Sequence, residues 1–134
     1  MSTVTDPLLA RIVALAEGEA SLIALWLYGS RARGDHHAAS DYDLAVAFSD
    51  WPHEALERRL RPELLAMDWQ AALGLPEQAL SVVDLAIAPI PLGWSILCDG
   101  QLLLDRSPQQ RMTHESRIMS LWEIDYAPRA TRNG

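Results

Sequence analysis

Leu22-Ile23-Ala24-Leu25-Trp26-Leu27-Tyr28 is an apolar run that ends abruptly on Gly29-Ser30. Its shortness and the glycine behind it fit a buried strand better than a helix. A second run of the same kind, Leu44 to Phe48, follows directly on Ser40-Asp41-Tyr42-Asp43. The chain is thereby committed to a sheet. Gly29-Ser30 stands where one strand hands over to a turn, and Asp41 and Asp43 stand at the head of the next strand.

Each half of that arrangement suits a particular chemistry. Gly29 lets the backbone come close to an anion, and the Ser30 hydroxyl and the amides of the following turn can donate to phosphate oxygens. Residues i and i+2 of a strand point to one face, so Asp41 and Asp43 lie side by side, about 7 Å apart at the backbone. Two such carboxylates suit a hard cation with oxygen ligands, Mg²⁺ above all. Gly-Ser and Asp-x-Asp are each common in ordinary loops, where Asp caps turns. Their order, with strand character before the first and behind the second, separates this segment from a solvated loop.

Gly29-Ser30, Gly34, Ser40, Asp41 and Asp43 resemble the signature of the polymerase-beta-like nucleotidyltransferase superfamily. Arg31-Ala32-Arg33-Gly34 resembles its minimal nucleotidyltransferase branch. The resemblance is specific in this segment and looser elsewhere. It implies an α/β (α+β) fold with a small mixed β-sheet flanked by helices, binding of Mg²⁺ and a nucleoside triphosphate, and transfer of a nucleoside monophosphate to a hydroxyl with release of pyrophosphate. It also implies a third carboxylate from a later strand. Asp84, inside the β-branched run Leu80-Ser81-Val82-Val83-Asp84-Leu85, is the candidate, as second-metal ligand or general base. The expected catalytic and metal-binding set is Asp41, Asp43 and Asp84. Gly29, Ser30, Arg31, Arg33 and Ser40 are expected on the nucleotide, although arginines in the turn after Gly-Ser also read as a solvated helix face.

Composition narrows what can be modified. The 134 residues are 49% hydrophobic, enough for one core and one domain, 1–134, and too few for a second substrate domain. A net charge of −7 with no basic run argues against a face that neutralises many nucleic-acid phosphates. The sequence has no lysine, which removes covalent lysyl-nucleotide chemistry and the Walker lysine, and leaves arginines to do cationic work. A lone Cys98 cannot form an internal disulfide, and no Cys/His spacing suggests zinc, so a reducing cytoplasm is expected. Asp6-Pro7, Glu17 and Glu19 interrupt any signal-peptide pattern, and no run reaches membrane-spanning length. His36 and His37 lie in the loop between the two halves of the motif, where solvation is the commoner fate. His53 and His114 show no chemistry in the sequence.

The element order expected from periodicity and punctuation runs as follows. Asp6 caps a helix from Pro7 to near Gly18. A strand over 22–28 leads to a short helix ending at Arg33, then a strand over 43–48. Glu54 to Leu73 forms a helix split or kinked at Pro62. A strand over 80–86, a short helix over 92–98, an edge strand over 101–105 and a terminal helix from Pro108 to about Tyr126 complete the domain, with a frayed tail over 127–134. Trp94, Met112, Met119, Trp122 and Tyr126 concentrate near the C-terminus, as core filler or as an interface.

The acceptor hydroxyl is the open half of the reaction. Minimal nucleotidyltransferases resemble antitoxins that pair with HEPN ribonuclease toxins, which implies transfer of AMP from ATP to a toxin tyrosine and a hetero-oligomer with that toxin. Small size and an acidic surface fit a protein acceptor, and acidity complements a basic partner. A small-molecule nucleotidyltransferase of the aminoglycoside-modifying kind and a non-catalytic binding module are the alternatives.

Overall fold

The computed structural model describes residues 6–38 and 40–126, so the expected fray over 127–134 lies outside the described residues. Asp6 caps α1 (Pro7–Glu17) as its place before Pro7 predicts. Its Oδ1 accepts the amides of Leu8 at 3.0 Å and Leu9 at 3.2 Å. The apolar run becomes β1 (Leu22–Tyr28), Gly29 opens the one-turn α2 (Ser30–Arg33), and β2 (Tyr42–Phe48) begins one residue earlier than periodicity suggests. Next come α3 (Ala55–Leu73) and β3 (Leu80–Asp84), then α4 (Ile90–Asp99), β4 (Gln101–Asp105) and α5 (Pro108–Asp125).

Three boundaries depart from expectation for local reasons. Pro62 does not split α3, which runs unbroken through it with the proline ring buried. β3 stops at Asp84 rather than residue 86 because the Asp84 carboxylate takes the Ala86 amide at 2.9 Å and the Asp84 carbonyl takes the amides of Ile87 and Ala88. α4 starts at Ile90, before the second proline rather than after it. Pro91 falls in the first turn, where a missing N–H costs nothing.

The sheet has the order β3-β2-β1-β4, with β1 antiparallel to both β2 and β4 and β2 parallel to β3. This is the expected mixed sheet flanked by helices. Alternation divides it into two cores. Leu44, Val46, Phe48, Leu80 and Val82 pack with Leu9, Ile12, Leu65 and Trp69 beneath α1 and α3, whereas Ala45, Ala47, Trp26 and Leu85 pack with Ile96 and Ile118 beneath α4 and α5. The C-terminal aromatics divide as well. Trp94, Trp122 and Tyr126 stack with centroids 5.2 and 5.1 Å apart on the α4–α5 side, while Met112 and Met119 stay exposed. Among the described residues no helix is long and apolar enough to cross a membrane.

Candidate active site

The C-terminal end of β1 and the N-terminal ends of β2 and β3 meet at one end of the sheet, where Tyr28 pairs with Asp43 and Asp43 with Ser81. Gly29, the next residue, has φ 74° and ψ −156°, a conformation essentially confined to glycine. A Cβ built there would stand 2.4 Å from Asp43 Oδ2. The glycine is therefore required twice, by its backbone angles and by the carboxylate seated against it. The Ser30 hydroxyl makes no hydrogen bond within the described residues, and α2 closes with Ala32 and Arg33 donating to the Gly29 carbonyl.

Asp41 and Asp43 are separated by Tyr42, and Tyr42 fixes which way they point. Its ring is buried in the α1–α3 core, and its hydroxyl donates to Asp6 Oδ2 at 2.9 Å, on the residue that caps α1. With Tyr42 turned inward, the alternation of the strand directs Asp43 to the opposite face. Asp41 stands exposed at the strand's entrance, and Asp43 is half-buried. Tyr42→Phe is expected to lower stability in urea unfolding by about 1 kcal/mol, the worth of one such hydrogen bond, with the Asp6 cap retained.

Two residues expected on the nucleotide have other work. Arg31 lays its guanidinium 3.9 Å above the Tyr42 ring. It donates from Nε and Nη2 to the Ser40 carbonyl at 3.0 and 2.7 Å, and from Nη2 to the Ala38 carbonyl at 3.3 Å. Arg31 is thus a staple for the loop that delivers Asp41, and its donors point at backbone rather than at a phosphate. Ser40 closes the same loop, its Oγ accepting the His37 amide at 3.0 Å. Arg33 lies exposed at the end of α2, against Asp35 at 3.3 Å, a surface pair of small worth. His36 and His37 lie on the exposed surface of this loop.

Asp84 does not join Asp41 and Asp43. In the parallel β2–β3 pair Asp84 stands opposite Val46, three positions beyond the Asp43–Ser81 pair, or about 10 Å along the strand. An odd offset also reverses the face. Asp43 and Ser81 point toward the α4–α5 side, and Asp84 shares the face of Val46 and Val82. The expectation that Asp84 supplies the third acid is corrected accordingly. The residue beside Asp43 is Ser81, whose hydroxyl donates to Asp43 Oδ1 at 3.0 Å. A lone serine in a strand carries no signal in the sequence, and only the strand register reveals it. Burial first and the Asp43 charge second raise the Tyr28 phenol above the usual range, against a smaller opposing effect of the hydrogen bond with Ser81, so it stays protonated.

The residues present fit a divalent cation that brings ligands of its own. Among the described residues no three acid, His or Cys side chains converge as a complete metal site. Mg²⁺ binds typically through one or two protein carboxylates together with phosphates and water, and Asp41 and Asp43 match that donor set. Ser81 on one Asp43 oxygen and the Gly29 backbone against the other hold that carboxylate in a single orientation.

The fold recurs in solved structures. A chain of a toxin–antitoxin crystal structure with AMP-PNP superposes with a TM-score of 0.69 at 24% identity, over 91% of this chain and 92% of that one. A chain of the tri-AMPylated Shewanella oneidensis HEPN toxin in complex with MNT antitoxin gives 0.64 at 22% identity, over 91% and 89%. A chain of the MntA–HepT toxin–antitoxin gives 0.64 at 21% identity, over 91% and 90%. No curated protein matches the sequence. The family model described as polymerase beta, nucleotidyltransferase matches residues 10–109, a span that holds the Gly29 turn, both aspartates and all four strands. The chain belongs to the polymerase-beta nucleotidyltransferase family.

Proposed function

We propose that this chain is a Mg²⁺-dependent protein adenylyltransferase that moves AMP from ATP to a tyrosine hydroxyl of a HEPN-type ribonuclease toxin, and so acts as its antitoxin in the cytoplasm. The carrying observation is the Asp43 carboxylate, clamped between the Gly29 turn and Ser81 and next but one to Asp41. The fold shared with a chain of the tri-AMPylated HEPN toxin–MNT complex supports the choice of acceptor.

Asp41 and Asp43 would hold the metal. When bound, Mg²⁺ supplies charge neutralisation on the triphosphate and a lowered pKa for the acceptor hydroxyl. The Gly29 turn lets phosphate oxygens approach the backbone, where the Ser30 hydroxyl donates to them. The acceptor hydroxyl gives up its proton to solvent as its oxygen attacks the α-phosphorus in line, a new P–O bond forms, the bond from the α-phosphorus to the bridging oxygen breaks, and pyrophosphate leaves. Ser81 keeps Asp43 oriented but is no base at neutral pH. That favours an acceptor acidic enough to need little help, and a tyrosine phenol, with a pKa of about 10, is far more acidic than a serine hydroxyl.

Ser81→Ala is expected to lower kcat roughly tenfold, because Asp43 then samples orientations unsuited to the metal, a modest case of lost positioning. Raising Mg²⁺ should recover part of the loss, as measured by initial rates. The acceptor is tested by incubating the purified chain with ATP, Mg²⁺ and a co-expressed HEPN-type partner, then mapping peptides by mass spectrometry. AMP on a tyrosine is expected. An unmodified partner that Asp41→Ala and Asp43→Ala chains still neutralise would overturn the proposal in favour of a binding module.

A further inference from the structure

At the end of the sheet away from Asp43, a cavity of about 240 Å³ opens between the end of β3, the loop after β2, and α5. Its walls include Trp51, Asp84, Gln110, Thr113 and His114. Asp84 is the one buried charged or polar residue among the described residues, at 7% exposure. Its Oδ1 accepts the Ala86 amide, and its Oδ2 has no hydrogen-bond partner within the described residues. That oxygen is not sealed in the protein, so it is open to a ligand that enters the cavity. We infer that this cavity docks the guanidinium of an arginine presented by a protein partner.

Charge favours a cation. Arg61 pairs with Asp50 at 2.7 Å and lies 3.9 Å above the Phe48 ring, and it acts on Asp84 through space only, as the smallest of the influences on that carboxyl. Burial holds His114 below the usual histidine range although the Asp84 charge pulls the other way, so the imidazole is mostly neutral at neutral pH. Burial also pushes Asp84 upward, and a guanidinium would recover the ionised form. The acidic group that faces the cavity thus has no salt bridge among the described residues.

Shape favours arginine. The volume is below the roughly 300–1,000 Å³ of small-ligand sites and suits one long side chain. A planar fork can meet Asp84 Oδ2 and the oxygens of Gln110 or Thr113 together while resting on an aromatic wall. Trp51 is 59% exposed even with Arg58 laid 4.5 Å above its ring. Beyond Asp50, a second cavity lined by Leu60 and Leu64 continues into an exposed stripe on α3, Leu56, Leu60, Leu64 and Met67, spaced as one helix face. An apolar surface around a buried charge that awaits a partner arginine has the make-up of an interface centre. This inference does not depend on the transfer reaction, whose residues lie at the other end of the sheet.

The test is a titration of the isotope-labelled full chain with N-acetyl-arginine amide, its lysine counterpart, and the neutral isostere N-acetyl-citrulline amide, followed by NMR. Saturable shifts at the Trp51 indole, the Ala86 amide and His114 are expected with arginine, weaker with lysine and absent with citrulline. Asp84→Asn should weaken arginine binding by about tenfold or more, as expected for a lost charged hydrogen bond. Trp51→Ala, at an exposed position, should weaken it about threefold through the lost cation–π contact and decides the matter if Asp84→Asn does not fold. No saturable shift, equal binding of citrulline or lysine, or unchanged binding by the variants would overturn the inference.

Discussion

Asp43→Ala is expected to abolish nucleotidyl transfer, lowering kcat by about a thousandfold or more, the loss of several kcal/mol of metal-borne charge stabilisation. Folding should hardly notice. Asp43 is half-buried at the mouth of the site, and its side-chain partner among the described residues, Ser81, is exposed and can turn to water. Thermal unfolding separates the two effects. With ATP and Mg²⁺ the unaltered chain should melt at a higher temperature than without them, as any ligand of the folded state requires. The Asp43→Ala chain should show the same midpoint with and without them. A variant that lost its fold along with its activity would point to a structural role instead.

Gly29→Ala should damage both properties. The backbone at φ 74° and ψ −156° lies where a side chain is strained, at a cost of about 1–3 kcal/mol. The added Cβ, 2.4 Å from Asp43 Oδ2, must also push the carboxylate away or shift the turn. The midpoint should fall by roughly 5–10 °C. Transfer should fall by about a hundredfold, the scale on which a displacement of 1 Å is felt at a reacting centre. The contrast is the informative part. Gly34→Ala is strained by its φ of 82° but has nothing within 4 Å of a Cβ, so it should lose stability and keep most of its activity. Equal losses of activity at the two glycines would remove the argument that the Gly29 turn is built around Asp43.

The strands β1 and β2 and the Gly29-Ser30 and Asp41/Asp43 elements are legible because the information lies in consecutive residues: an apolar run, a glycine, a polar loop, two acids at strand spacing. α1 is legible for the same reason, since Asp6-Pro7 is a cap and a first turn in adjacent positions. Asp84 is different. Whether a β3 residue stands beside Asp43 depends on the register of a parallel pair, and a shift of three positions changes both the level and the face. Ser81 and Asp84 differ by that shift, and the acid is the conspicuous one in the sequence. Arg31 allows two readings in the sequence, because a long side chain after a phosphate turn can reach forward to a ligand or back to carbonyls. The structure has it donating to the Ala38 and Ser40 carbonyls, a placement that no local pattern encodes. His114 gains its neighbourhood only when α5 folds back beside the end of β3.

The most direct measurement follows the two ends of the nucleotide. The purified chain, a HEPN-type partner and Mg²⁺ are incubated with ATP labelled at the α-phosphate and, in parallel, with ATP labelled at the γ-phosphate. Nucleotidyl transfer predicts that α-label becomes attached to the partner and γ-label appears in pyrophosphate, with both signals lost in Asp43→Ala. Attachment of the γ-label, or α-label transfer that survives Asp43→Ala, would contradict the account.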